Sequence, residues 1–416
     1  MRVLFATCPD KSTFQYLVPL AWALRTAGHD VRVASQPRFA GVITQAGLTA
    51  VPVGRDSDIH RALENAPGEQ VSARAGLPRP YDAAIDPSLA TPEHLRAGYD
   101  HHVTWWHKMD NLPLISQLVA YARHWRPDLI VWEPRTFAGS IAAKAIGAAH
   151  ARMLWSMDVF GVTRQLYRQL DAPGPDPLAE WLTRHAREYG ADFSEDMVTG
   201  QFTIDQLPVS LRIAADLQYV PMRHTPYGGP ATVPSWLRTP PRKPRVALTL
   251  GLTATEKFAG YTVDIGQILD ALGHLRIELV ATLTDKTRAA LPRIPKNTKI
   301  VPYVPLQDLA ATCTAVIHHA GAATMATTSL HGIPQLSIPY HFDQPALATR
   351  FAEHGAGLAI DSARATGPAV REAVLALLNE PHFRANAQKI RDEMLAMPSP
   401  NEIVPRLEEL TAAHQS

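Results

Sequence analysis

Ala315-Val316-Ile317-His318-His319-Ala320-Gly321-Ala322-Ala323-Thr324 is an apolar run that closes on two histidines and then on very small residues. The apolar part reads as a buried strand and the small residues as the start of a helix. Small residues let backbone N–H groups come close to a ligand, and a helix N-terminus already favours negative charge. A strand emptying into such a turn is a place to hold a diphosphate, with His318 or His319 near enough to share its charge. Further along, Asp343 and Gln344 offer polar groups able to meet the hydroxyls of a sugar beside that diphosphate.

Working outward, the same strand–turn–helix rhythm fills both halves of the chain. In the first half, Val3–Thr7, Asp30–Ala34, Leu48–Val53, Asp128–Trp132 and His150–Trp155 read as strands. Helical spacing separates them over Leu17–Leu24, Pro37–Ala46, Leu112–Trp125 and Phe137–Ile146. In the second half, Arg245–Leu250, Leu275–Leu283, Thr298–Tyr303 and Ala315–His319 read as parallel strands. Seven prolines between residues 221 and 244 bar an inner strand or a helix there, so this stretch reads as a semi-rigid linker. The expected division is an N-terminal domain over 1–220, the linker over 221–244 and a C-terminal domain over 245–395. A terminal helix over 396–416 is free to cross back to the first domain. Alternating strands and helices imply parallel sheets, and ligands of such sheets lie beyond the carboxyl ends of the strands. A cleft between the two halves is therefore expected.

Between residues 55 and 111 the rhythm breaks, around Trp105, Trp106 and His107. The two tryptophans read either as the packing face of one helix or as an aromatic wall beside a bulky apolar acceptor.

Composition narrows the function classes. A chain of 416 residues is long for one core, and 46% hydrophobic with 19% charged residues is ordinary for a soluble globular enzyme. A net charge of +1 gives no electrostatic reason for binding nucleic acid or an anionic membrane. Cys8 and Cys313 stand far apart in apolar runs, which suits a reducing interior better than a disulfide framework. No apolar run reaches membrane-spanning length and no leader pattern precedes Arg2-Val3-Leu4-Phe5, so a cytoplasmic protein is expected.

Several motifs together resemble the two-domain GT-B glycosyltransferases of natural-product type. They are His318 to Thr324, Gly332-Ile333-Pro334-Gln335, Phe342-Asp343-Gln344, and the opening Leu17-Val18-Pro19-Leu20-Ala21-Trp22 with Ala27-Gly28-His29. The opening and the segment Glu195 to Asp205 resemble actinobacterial macrolide and aromatic-polyketide deoxysugar transferases. The resemblance implies an α/β GT-B fold: two Rossmann-like domains facing each other across a cleft. It implies inverting transfer of a deoxysugar from a thymidine diphosphate (TDP) sugar to a hydrophobic polyketide aglycone, with the TDP-sugar as co-substrate and neither cofactor nor metal. It also implies a P450-like auxiliary activator, and it leaves room for a homodimer. Residue by residue, His318 is the expected diphosphate contact. His319, Gly321, Ala322, Ala323 and Thr324 complete that turn, and Asp343 and Gln344 meet the sugar. Gly251, Thr253 and Val304 lie on loops that approach the nucleotide.

One position departs from the family pattern. Thr13 stands where members commonly carry the histidine that deprotonates the acceptor, and a threonine hydroxyl is no general base near neutral pH. Glu133, at the end of the strand Asp128–Trp132, is the expected substitute, unless it is a structural carboxylate. Asp10 is a second candidate, and Thr13 itself can still orient an acceptor hydroxyl. Two other readings stand beside deoxysugar transfer: a macrolide-inactivating hexosyltransferase, and a catalytically altered homologue acting as a binding or activating partner.

Overall fold

The computed structural model describes residues 1–57, 76–170, 174–251 and 260–415. Its backbone forms two parallel sheets, each within its own compact unit. Among the described residues, one unit holds the N-terminal sheet together with Leu77–Gly229 and Met397–Ser416, and the other holds Pro230–Ala396.

The first sheet contains β1 (Arg2–Ala6), β2 (Asp30–Ser35), β3 (Thr49–Pro52), β4 (Leu129–Trp132), β5 (Ala149–Met153), β6 (Phe202–Asp205) and β7 (Tyr219–Pro221), in the order β3-β2-β1-β4-β5-β6-β7. The second contains β8 (Arg245–Thr249), β9 (Glu278–Thr282), β10 (Thr298–Val301), β11 (Ala315–His318), β12 (Gln335–Ser337) and β13 (Gly357–Ala359), in the order β10-β9-β8-β11-β12-β13. Strand order reverses between β1 and β4 in one sheet and between β8 and β11 in the other. Loops leaving the two strands on either side of such a reversal part to opposite faces and open a crevice at their carboxyl ends. That fixes where to look: residues 7–10 and 133–137 in the first unit, residues 250–251 and 319–324 in the second.

Both faces of each sheet are covered, which is why the strands read as near-continuous apolar runs. On β1, Val3 and Phe5 pack toward the helix Lys11–Thr26, while Leu4 and Ala6 pack toward the helices Ile115–Trp125 and Ala138–Lys144. The last helix, Val404–His414, packs on β5 and buries Val404, Leu407 and Leu410 in the core beneath the sheet of the N-terminal unit. His29 Nε2 lies 3.0 Å from Glu408 and Gln415 donates to Asp128, so polar bonds flank that contact.

Some elements escape the sequence patterns. β6, β7 and β13 are too short, or too polar, for a period to show. β7 ends on Pro221 at the sheet edge, where a missing backbone donor costs no ladder bond. The expected strand Leu275–Leu283 shortens to Glu278–Thr282, because the helix Ile265–Gly273 ends only just before it. Among the described residues, the part of the irregular stretch from 76 to 111 is largely helical. Pro92–His102 runs into a π-helical turn at Val103–His107 and then into Lys108–Asn111.

Candidate active site

In the C-terminal unit, β8 and β11 deliver Thr249 and His318 side by side, and the chain turns sharply after each. His318 is wholly buried. Its Nδ1 accepts the Ala320 backbone N–H at 2.8 Å, so its proton sits on Nε2, which donates to Gln335 Oε1 at 2.6 Å. Gln335 is held in turn by Ser329 Oγ and the Met325 carbonyl. Burial, reinforced by the neighbouring His319 and opposed by Gln335, pushes the His318 imidazole down to about 3. It is a neutral strut with both ring nitrogens committed.

His319 is placed differently. Its ring lies in a slot between two glycines. A Cβ on Gly251 would come within 2.6 Å of His319 Cε1, and one on Gly321 would collide with His319 Nε2. Any larger residue at either position would push the imidazole away, and Gly251 also has a φ of +70°, which favours glycine. The Nε2 edge therefore faces the start of the helix Ala322–Ser329. That helix has no side-chain cap at Gly321, and Ala322, Ala323 and Thr324 in its first turn are part-exposed. Backbone N–H groups and the dipole favour an anion there. Burial pushes His319 down to about 4, with a hydrogen bond to the Thr249 backbone opposing, so the ring is neutral.

Two non-glycine residues near this turn have left-handed backbone: Ala320 at φ 61° and Phe342 at φ 47°. Such strain gathers where surrounding structure must aim a loop. Phe342 delivers Asp343 and Gln344, both nearly buried, and Gln344 Oε1 accepts the Tyr340 backbone N–H. Gly251 receives the Tyr261 hydroxyl on its carbonyl. Val304 points inward, among Leu237, Ala247 and Val280, while Tyr303 beside it is exposed. Thr253 lies outside the described residues.

In the N-terminal unit, the loops after β1 and β4 converge on Arg135. Its Nη2 donates to Cys8 Sγ at 2.8 Å and lies 4.0 Å from Asp10. Its Nη1 is 3.8 Å from Asp110, and its Nε 3.9 Å from Glu133. Burial, with the Arg135 charge opposing, pushes the Cys8 thiol up, so it stays protonated. Asp10 caps the helix Lys11–Thr26, its Oδ1 accepting the Ser12 and Thr13 N–H groups and the Ser12 hydroxyl. Glu133 is fully buried. One of its oxygens accepts Thr136 Oγ1, and the other accepts the Arg135 N–H at 3.1 Å and Trp155 Nε1 at 3.2 Å. Asn111 stitches this loop to the π-turn, donating to the His107 and Arg135 carbonyls and accepting the Ala138 N–H. From Trp155 a run of rings extends through Phe160, Tyr81 and His102 to Trp106, which stacks on His102 with an interplanar angle of 16°.

These geometries meet the comparisons with known proteins. Residues 22–251 match the N-terminal domain, and residues 266–410 the C-terminal domain, of the family described as erythromycin biosynthesis protein CIII-like. The chain belongs to that family. It is a GT-B glycosyltransferase. This family member is 44% identical over its whole length to the 10-deoxymethynolide desosaminyltransferase of Streptomyces venezuelae, covering 98% of that protein. It is 41% identical to the 3-alpha-mycarosylerythronolide B desosaminyl transferase of Saccharopolyspora erythraea, with 100% and 99% of the two chains covered. The crystal structure of the glycosyltransferase VinC in complex with dTDP superposes with a TM-score of 0.89 at 35% identity, covering 99% of this chain and 100% of that one.

Within the family frame, three expectations about single residues change. His318, the expected diphosphate contact, has no ring nitrogen left to offer, and the ring that faces the helix N-terminus is that of His319. Glu133, the expected proton acceptor, is sealed from solvent with both oxygens occupied, and it holds Trp155 and the Arg135 loop in place. The tryptophans do not form one packing face, since Trp105 is 52% exposed while Trp106 is half-buried against His102. The sequence reading missed Arg135, Asp110 and Asn111. Arg135 left a faint signal, two residues beyond Glu133 in the same turn. Asp110 and Asn111 left none, because they arrive from an insertion whose path the strand–helix rhythm does not predict.

Proposed function

We propose that this glycosyltransferase moves a deoxysugar from a TDP donor to a macrolide or aromatic-polyketide aglycone, with inversion at the anomeric carbon. The observation that carries the reading is the glycine-walled slot that aims His319 at an uncapped helix N-terminus, at the point where strand order reverses. The named relatives support the substrate class: desosaminyl transferases acting on macrolactones, and a TDP-daunosamine transferase of Streptomyces peucetius at 41% identity.

In this mechanism the diphosphate lies across the N–H groups of Ala322, Ala323 and Thr324, with one N–H from His319. As the acceptor oxygen approaches the anomeric carbon, the bond to the diphosphate lengthens and negative charge grows on the leaving oxygens. Donors already aimed at that charge stabilise it without reorganising. Asp343 and Gln344 bind the sugar hydroxyls, and the loops of Gly251, Thr253 and Val304 flank the nucleotide. Trp105 and Trp106 face the aglycone.

A P450-like activator, a homodimer, a cytoplasmic setting and independence from metal complete the proposal. Among the described residues no helix is long and apolar enough to cross a membrane. The catalytically altered reading is disfavoured by the donor slot, which has no purpose without a donor. The hexosyl-transfer reading separates on the nucleotide. Calorimetric titration is expected to show TDP binding more tightly than UDP, and TDP-deoxysugars are expected to support turnover. Absence of binding by either diphosphate, with and without an activator protein, would end the proposal.

A further inference from the structure

The family position for an acceptor-activating histidine holds Thr13, and Glu133 is sealed away, so the proton must go elsewhere. The groups around Arg135 can be sorted by access and chemistry. Cys8 is a buried thiol that holds its proton. Glu133 has no exposed surface, and Asp110, in the helix Lys108–Asn111, is nearly buried. Asp10 is the most accessible of the three carboxylates, with 12% of its side chain exposed against 9% for Asp110 and none for Glu133, and it caps the helix Lys11–Thr26 three residues before Thr13. It lies on the loop leaving β1, on one side of the reversal in strand order, and Arg135 lies on the loop leaving β4, on the other.

We propose that Asp10 is the general base of the transfer and that Arg135 is its positioning residue. The inference rests on the transferase reading above. In the step, the acceptor O–H bond breaks and its proton passes to the Asp10 carboxylate. The freed oxygen pair forms the bond to the anomeric carbon, and the bond from that carbon to the diphosphate breaks, its pair leaving on TDP. Arg135 sets where Asp10 sits, its Nη2 lying 4.0 Å from Asp10 Oδ2. The guanidinium is shared with Asp110 and Glu133, and the neutral Cys8 fills the remaining side, so the site carries more carboxylate than cation. Lys11, the first residue of the helix, is exposed and adds only a screened charge.

The test uses the full chain with a TDP-deoxysugar and a macrolactone or anthracyclinone that the wild type glycosylates. Asp10→Asn keeps an Oδ1 acceptor for the helix cap, so the fold is retained. Its kcat/KM is expected to fall about 10²- to 10⁴-fold with TDP affinity unchanged. Formate added to Asp10→Gly is expected to restore turnover at least about tenfold, since a small carboxylate can occupy the vacated position. Arg135→Met is expected to raise the acidic limb of the kcat/KM profile by about one pH unit, and Arg135→Lys to return it toward wild type. A purely structural Arg135 would leave that limb where it was. Should Arg135→Met fail to fold, the two Asp10 variants decide alone. Near-normal turnover in Asp10→Asn, or an unmoved acidic limb in a folded Arg135→Met, overturns the assignment while leaving the transferase intact. A wild-type chain that binds no TDP and turns over no pair removes the transferase reading, and the assignment with it.

Discussion

Asp205, at the end of β6, is a carboxyl group folded into a place that suits only its neutral form. It is 1% exposed, one oxygen accepts the Leu207 N–H at 3.0 Å, and the other has no hydrogen-bond partner. On the same face of the sheet Arg152 is already committed to Asp158 at 2.5 Å, and Asp158 also accepts the Tyr219 hydroxyl. Burial, with the Leu207 N–H opposing and Asp158 adding to it, pushes Asp205 up to about 7. In the unfolded chain the same group titrates near 4, so the difference corresponds to at most about 4 kcal/mol. The folded state therefore holds this proton to a higher pH than the unfolded state does. The contribution is fully present below about pH 4, is lost as pH rises toward 7, and is absent above that. Asp205→Asn cannot ionise, and its Oδ1 can keep the Leu207 bond. The variant should match wild type near pH 3, exceed it by about 1 kcal/mol at pH 4.5 and by up to about 4 kcal/mol at pH 8. Urea unfolding read by tryptophan fluorescence suits the measurement, because of eight tryptophans only Trp236 lies in the C-terminal unit. Other titrating groups cancel in the difference between the two proteins. A difference that does not change with pH, or a variant weaker than wild type at pH 8, refutes the reasoning.

The two histidines give a second contrast. His319→Ala is expected to lower turnover by about 10²- to 10³-fold with the melting temperature unchanged, the effect of losing one preorganised donor. His318→Ala strands Gln335 and the Ala320 N–H in the core and is expected to cost about 3 kcal/mol of stability by denaturant titration. Equal effects of the two on stability would contradict the division of labour. Glu133→Gln can keep an oxygen on the Arg135 and Trp155 N–H groups but turns its NH2 toward Thr136 Oγ1, whose hydroxyl must reverse from donor to acceptor. A loss of about 2 kcal/mol is expected, with the acidic limb of the pH–rate profile unmoved. Disappearance of that limb would restore Glu133 as the base. Ala320→Gly relieves a left-handed alanine and is expected to stabilise by about 1 kcal/mol in thermal unfolding; an unchanged or lower melting temperature would refute this.

Read alone, the chain specifies its fold class and the position of its donor turn. Both are written locally: apolar runs alternating with helical spacing dictate two parallel sheets, and small residues after a buried strand mark a backbone open to an anion. Sequence could not choose between His318 and His319, because that choice depends on Gln335 of β12 reaching one ring and on Gly251, from the loop after β8, making room for the other. Nor could it retire Glu133, since the Trp155 indole that occupies it comes from beyond the next strand. The Arg135 cluster joins residues 8, 10, 110, 133 and 135, brought together by the reversal in strand order and by a helical insertion. Periodicity records which face of an element is buried; which side chains then compete for one proton or one charge is set by contacts between elements distant in the chain.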